Sequence, residues 1–154
     1  LYLDHNGDLN NFFVETSLDT VVSPQTVSFW IQPTKADRFS KDMFRLRNGE
    51  TDVIWFTNHR QNDGVYFRFG PGNDEEDRER IRDSAITTDI DQFVEVRLEE
   101  ISWENGNIGE VYINGEQTTT NAPFHNTQPG FDTVAPYSVG GGNSAFRIDD
   151  IGWK

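Results

Sequence analysis

The chain has 154 residues, with 26 acidic against 13 basic side chains, a formal net charge of −13, no cysteine and a mean hydropathy of −0.68. This length suits one domain that buries roughly 70% of the surface its unfolded chain would expose, and the lack of cysteine excludes disulfides. The longest purely apolar run, Val53-Ile54-Trp55-Phe56, is far short of the ~20 residues of a membrane-crossing helix, so no membrane insertion is expected.

Nucleic acid is excluded as a partner on charge, because phosphate binding rests on clustered Lys and Arg and here anion would meet anion. Of the cations, 10 are Arg and 3 are Lys. An acidic, Lys-poor balance suits a halophilic protein, whose carboxylates hold water in concentrated salt while their mutual repulsion is screened.

The chain opens on Leu1 as if within a strand and without an initiator Met, which predicts a single domain over 1–154 excised or processed from a longer chain. Strands are predicted at about 1–5, 11–15, 26–32, 43–47, 52–58, 64–69, 85–88, 92–102, 108–114, 117–119, 136–140 and 145–153. Hairpin turn signals punctuate them at Asn6-Gly7-Asp8, Asn48-Gly49, Asp63-Gly64, Asn105-Gly106 and Asn114-Gly115.

In the strand from Thr26 to Gln32, Val27, Phe29 and Ile31 fall on one side of the pleat and Ser28, Trp30 and Gln32 on the other; Pro33 ends it. From Gln92 onward, Phe93, Glu95, Arg97 and Glu99 face water while Val94, Val96 and Leu98 face a core. Val111 and Ile113 point inward ahead of a type I′ turn at Asn114-Gly115. The charge run from Asn73 to Asp83 reads as a solvated loop or one helical turn. Thr120 to Thr133 reads as an irregular loop pinned by Phe124 and Phe131. No segment carries sustained helical periodicity, so the expected architecture is all-β: two packed antiparallel sheets in a jelly-roll sandwich.

Four segments carry a family resemblance: Leu1 to Asp8, Val27 to Pro33, Phe93 to Arg97 with Val111 to Gly115, and Val139 to Gly142 with Phe146 to Trp153. Their order and spacing resemble the laminin G-like jelly-roll domains of the concanavalin A-like lectin/glucanase superfamily. Because the fold hosts lectins, carbohydrate-binding modules, hydrolases, adhesion domains and viral surface proteins, the resemblance implies the sandwich and leaves function to the site.

Hydrolases on this sandwich carry Glu-x-Asp-x-x-Glu on one strand. Here Glu50-Thr51-Asp52 is followed by Trp55, and Glu75-Glu76-Asp77 by Arg80, so the motif is missing. His5, His59 and His125 are isolated, and neither a Gly-x-Ser-x-Gly elbow nor zinc-ligand spacing occurs. The expectation is a chain that is not an enzyme. The resemblance also implies a structural calcium ion: members bind it with oxygen ligands, and neighbouring first and last strands would bring Asp4 or Asp8 near Asp149 or Asp150.

A glycan site needs a flat aromatic for the apolar face of a sugar ring, with amides, carboxylates or Arg around it. Trp55 and Tyr66 lie on adjacent predicted strands joined by a polar loop from Asn58 to Asp63, which makes Trp55, Asn58, His59, Arg60, Asn62, Tyr66 and Arg68 the candidate binding residues; Trp30 and Trp103 would extend that surface. The expected function is a non-catalytic carbohydrate-binding or adhesion module at the extracellular, cell or virion surface, with a glycan or polysaccharide as partner. The alternatives are a structural subunit binding its neighbours in a surface or virion assembly, and a hydrolase with an atypical acid pair.

Overall fold

The structure, a computed structural model, describes residues 2–6, 12–13, 15–35, 41–61, 64–69, 92–124, 126–138 and 143–154, with side chains for 15–32, 44–56, 92–118, 120–124, 126–136 and 147–154. All described regular structure is strand. The first sheet runs β1 (Tyr2–Asn6), β12 (Asn143–Trp153), β4 (Val27–Lys35), β8 (Val94–Ser102), β9 (Asn107–Ile113), β10 (Glu116–Pro123). The second runs β2 (Phe12–Phe13), β11 (Phe131–Ser138), β5 (Lys41–Asn48), β6 (Thr51–Gln61), β7 (Gly64–Phe69), and β3 (Thr16–Val22) also pairs with β11. All pairings are antiparallel, as expected for hairpin-linked strands.

The inward residues named from sequence alternation build the core. Val27, Phe29, Ile31, Val96, Leu98 and Val111 of the first sheet meet Phe44, Leu46, Ile54 and Phe56 of the second, all essentially without solvent contact. Phe29 joins the sheets directly, its ring centroid 4.6 Å from Phe44 and 5.2 Å, edge-on, from Phe56. Trp103 closes one end, its ring 5.2 Å from Phe124 and 5.8 Å from Phe131. The last residue is tied down as well: Lys154 O accepts from Gln25 N and Thr26 N at 2.8 and 3.0 Å.

Turn chemistry follows the sequence. Asn114 and Gly115 have φ of 49° and 80°, the two positive values of a type I′ hairpin between β9 and β10. Gly49 (φ 55°) turns β5 into β6.

Four expectations are corrected, the first being that Pro33 does not end its strand, since β4 pairs with β12 as far as Lys35. Thr16 to Val22 forms β3, a strand absent from the sequence reading, because its outward Ser, Asp and Thr and partly buried Leu18 and Val22 mask the alternation. The segment from Thr120 to Thr133 is half strand: β10 continues to Pro123 and β11 begins at Phe131, leaving a connection over 124–130 that the buried Phe124 and Phe131 hold down as expected. Asn58 to Gln61 is not a loop, since β6 runs through it. The predicted strand at 85–88 and the charge run from Asn73 to Asp83 lie outside the described residues.

Candidate functional site

On the outward face of the second sheet, Trp55 emerges between the buried Ile54 and Phe56 and stands opposite Arg45 in the β5–β6 register. The Arg45 guanidinium lies 4.8 Å from the centre of the Trp55 ring, a cation–π stack, while its Nη1 bonds Asp52 Oδ2 at 2.5 Å. Arg47 approaches Asp52 through Nε at 3.2 Å, pairs with Glu15 and donates to Glu50 O at 3.1 Å. An indole thus sits in a network of guanidinium and carboxylate groups already held in place.

From there the β6–β7 ladder carries the other candidates: Asn58 pairs with Phe67, His59 with Tyr66, Arg60 with Val65, and Thr57 with Arg68. Asn58, His59, Arg60, Tyr66 and Arg68 therefore share one two-stranded ribbon running on from Trp55, in backbone terms. Asn62 lies outside the described residues.

Trp30 and Trp103 do not extend this surface. Trp103 is core, 7% exposed, and its indole Nε1 donates to Pro24 O at 2.7 Å. Trp30 belongs to β4 in the other sheet, and its neighbours are on the outward face of that sheet. It is 38% exposed and stands between Asp149 of β12 and Glu95 of β8. Beyond Glu95 lies Asn114, whose Oδ1 accepts from Glu95 N and whose N donates to Glu95 O, both at 3.0 Å.

The next row runs Ser28, Arg97, Tyr112, Gln117 in register. Arg97 stacks 4.7 Å from the Tyr112 ring centre and pairs with Glu99 at 2.6 Å; Glu110 accepts from Tyr112 OH at 2.7 Å and from Gln117 Nε2 at 3.0 Å. That bond to Glu110, then desolvation, then the charges of Glu110 and Glu99, raise the Tyr112 pKa above its ordinary 10.0, with Arg97 opposing. Sequence reasoning put Phe93 on the wet side of its strand and Trp30 on the side of Ser28 and Gln32 without deciding whether that side was outward, and it did not pair those strands, so it missed that the two aromatics share a face.

For calcium, β1 and β12 are neighbours, yet Asp4 stands opposite Ala145, four positions before Asp149 and so about 14 Å along the strand at ~3.4 Å per residue. Asp149 and Asp150 sit where the β12–β4 register shifts; both are exposed, Asp150 has φ 47°, and Asp149 Oδ1 accepts from Asp150 N at 3.0 Å. Among the described residues no three His, Cys, Asp or Glu groups converge on a metal position, so the described residues do not fit a hard-cation cage of six or more oxygens. Asp8 lies outside the described residues.

A laminin G-type family profile, described as the concanavalin A-like lectin/glucanases superfamily, matches residues 7–151. The chain belongs to this superfamily. No curated protein matches it in sequence. Among solved structures it is similar to an alginate lyase from Corynebacterium sp. (14% identity, 84% of this chain and 57% of the lyase chain, TM-score 0.55). It is also similar to the Caenorhabditis elegans galectin LEC-6 (14% identity, 92% of this chain and 96% of the galectin chain, TM-score 0.50). The chain thus spans little more than half of the lyase's length, and at these identities the likeness is one of fold: this superfamily member has the all-β jelly-roll sandwich expected from its alternation.

Proposed function

We propose that this superfamily member is a non-catalytic carbohydrate-binding or adhesion module of a secreted or surface protein. The observation that carries the reading is the outward face of β5 and β6, where the Trp55 indole is stacked with an Arg45 already locked to Asp52. Groups fixed before a ligand arrives lose little freedom on binding, which favours recognition of a sugar ring by an aromatic and its surrounding donors and acceptors. The β6–β7 ribbon, with His59 on the Trp55 side of the alternation and Tyr66 and Arg68 opposite His59 and Thr57, and the connection with Asn62, is the proposed continuation of that surface, whereas Asn58 and Arg60 alternate to the Phe56 side.

The galectin gives the reading a precedent on this fold. The alginate lyase is an enzyme on the same fold; what speaks against hydrolysis here is local, in that the hydrolase acid motif is missing and Asp52, its partial counterpart, is engaged by Arg45 and Arg47.

One observation favours a second reading, hydrolysis by an acid pair drawn from two strands. Glu99 and Glu110 stand directly opposite each other on β8 and β9. Both carboxylates are occupied, Glu99 by Arg97 and Glu110 by Tyr112 and Gln117, which leaves neither placed as a free acid or base.

The test is a glycan-array screen in molar salt, with and without calcium, of the domain and its Trp55→Ala and Tyr66→Ala variants. The expected result is that at least one class of glycan is bound by the domain and that its binding is lost in both variants. Binding that both variants retain would remove the site from Trp55 and Tyr66; release of reducing ends abolished by Glu110→Gln would favour the hydrolase. Absence of binding under every condition would favour the structural-subunit role.

A further inference from the structure

The outward face of the first sheet holds two apolar rings in water, Trp30 at 38% and Phe93 at 42% exposure, among side chains that are otherwise mostly charged or amide-bearing. Continuing the β4–β8 register one residue past Ile31 and Val94 sets Phe93 opposite Gln32. The rings are then diagonal cross-strand neighbours, a separation of ~7–8 Å that large side chains bridge. Around them the polar groups are fixed: Gln32 accepts from Arg147 Nη1 at 3.3 Å, and Glu95 and Asn114 clasp each other through main-chain and side-chain bonds.

We propose that Trp30 and Phe93 form a binding platform of their own, on the sheet opposite Trp55, that takes an uncharged glycan chain and rejects uronates. Two flat rings on one face cover the apolar sides of pyranose rings, while Asp149 and Glu95 flank the indole as acceptors for sugar hydroxyls and Asn114 adds an amide. The charge balance sets the ligand class. Both side chains directly beside Trp30 are carboxylates, while the guanidinium groups stand in the rows beyond, Arg97 opposite Ser28 and paired with Glu99, and Arg147 opposite Gln32. A uronate or sulfate would add negative charge to this surface on a chain of net charge −13, whereas a hydroxyl donates to a carboxylate without such a conflict.

The experiment is backbone amide chemical-shift mapping of the domain at about 0.1 M salt, where its carboxylates are less screened than in molar salt, titrated separately with cellohexaose, laminarihexaose and a mannuronate hexasaccharide. An uncharged hexasaccharide is expected to shift the amides of Trp30, Glu95, Asn114 and Asp149. Trp30→Ala and Phe93→Ala are each expected to weaken that binding at least tenfold; Trp30→Tyr, which keeps a ring, retains most of it, and Trp55→Ala leaves these shifts in place. Shifts confined to β5–β7 would overturn this platform while leaving the proposed function standing. Shifts at Trp30 with mannuronate as large as with the uncharged sugars would overturn the ligand class, and no shift with any of the three would overturn the platform. Self-association without sugar that Trp30→Ala abolishes would overturn it too, by assigning the rings to a second copy of the chain.

Discussion

Trp103 and Trp30 look alike in the sequence and are separated in the structure by what each neighbouring strand supplies. Trp103 has the Pro24 carbonyl for its indole N–H and Phe124 and Phe131 for its ring. Trp30 has carboxylates on both sides and water above. Alternation grouped Trp30 with Ser28 and Gln32 but left open which side of the strand faced water; nothing local foretold the fate of Trp103, whose partners are distant in the chain. Trp103→Ala is therefore expected to cost about 3–5 kcal/mol in denaturant unfolding, and Trp30→Ala only about 0.5 kcal/mol. Equal losses would show that Trp30 is core.

Tyr112 gives a second residue-scale expectation. Its phenol holds its proton more tightly in the folded state, chiefly through the bond to Glu110. The associated stability is fully present below the ordinary phenol value of 10.0 and is lost as pH rises through the raised one. Tyrosinate absorbance should show Tyr112, identified by difference from Tyr112→Phe, ionising above the ordinary value, and Glu110→Gln should lower it. An unchanged titration in Glu110→Gln would contradict the assigned cause.

Among the elements, strands with a clean polar and apolar side were legible from sequence: β4, β8 and β9 match their predicted inward residues. β3 was not, because it lies along β11 with only Leu18 and Val22 packed on the core. Its seat is set by close backbone approach: a Cβ added to Gly130 would come within 2.3 Å of Val22 O, whereas one on Gly115 would meet nothing within 4 Å. Gly115→Ala should thus cost only the ~1–2 kcal/mol of a positive φ. Gly130→Ala should cost more and loosen β3, read as faster hydrogen exchange in Thr16–Val22. Equal stability losses with no change in exchange would mean that β3 is held by something other than this contact. Similarly, β6 outran its predicted end because His59 to Gln61 are poor strand formers by composition and are strand through pairing with β7.

For the whole molecule, the order β1–β12–β4 sets β12 beside the strand that carries Trp30 and β1 on the far side of β12, and the two outward faces point to opposite sides of one core. Architecture was readable because the jelly roll repeats one simple pattern; the candidate sites were only partly readable because each gathers residues from several strands whose neighbours no local pattern announces. The net charge of −13 acts at this scale. Repulsion among carboxylates falls as the Debye length shrinks from about 10 Å at 0.1 M salt to about 3 Å at 1 M, so the melting temperature should rise between those concentrations. A flat or falling curve would contradict a fold adapted to concentrated salt.

The central claim, that the domain binds glycans, is tested most directly by isothermal titration calorimetry of the wild-type domain in molar salt against the strongest ligand from the array. The account predicts saturable heat with a defined stoichiometry. Absence of heat across the whole titration, with the domain folded throughout, would contradict it.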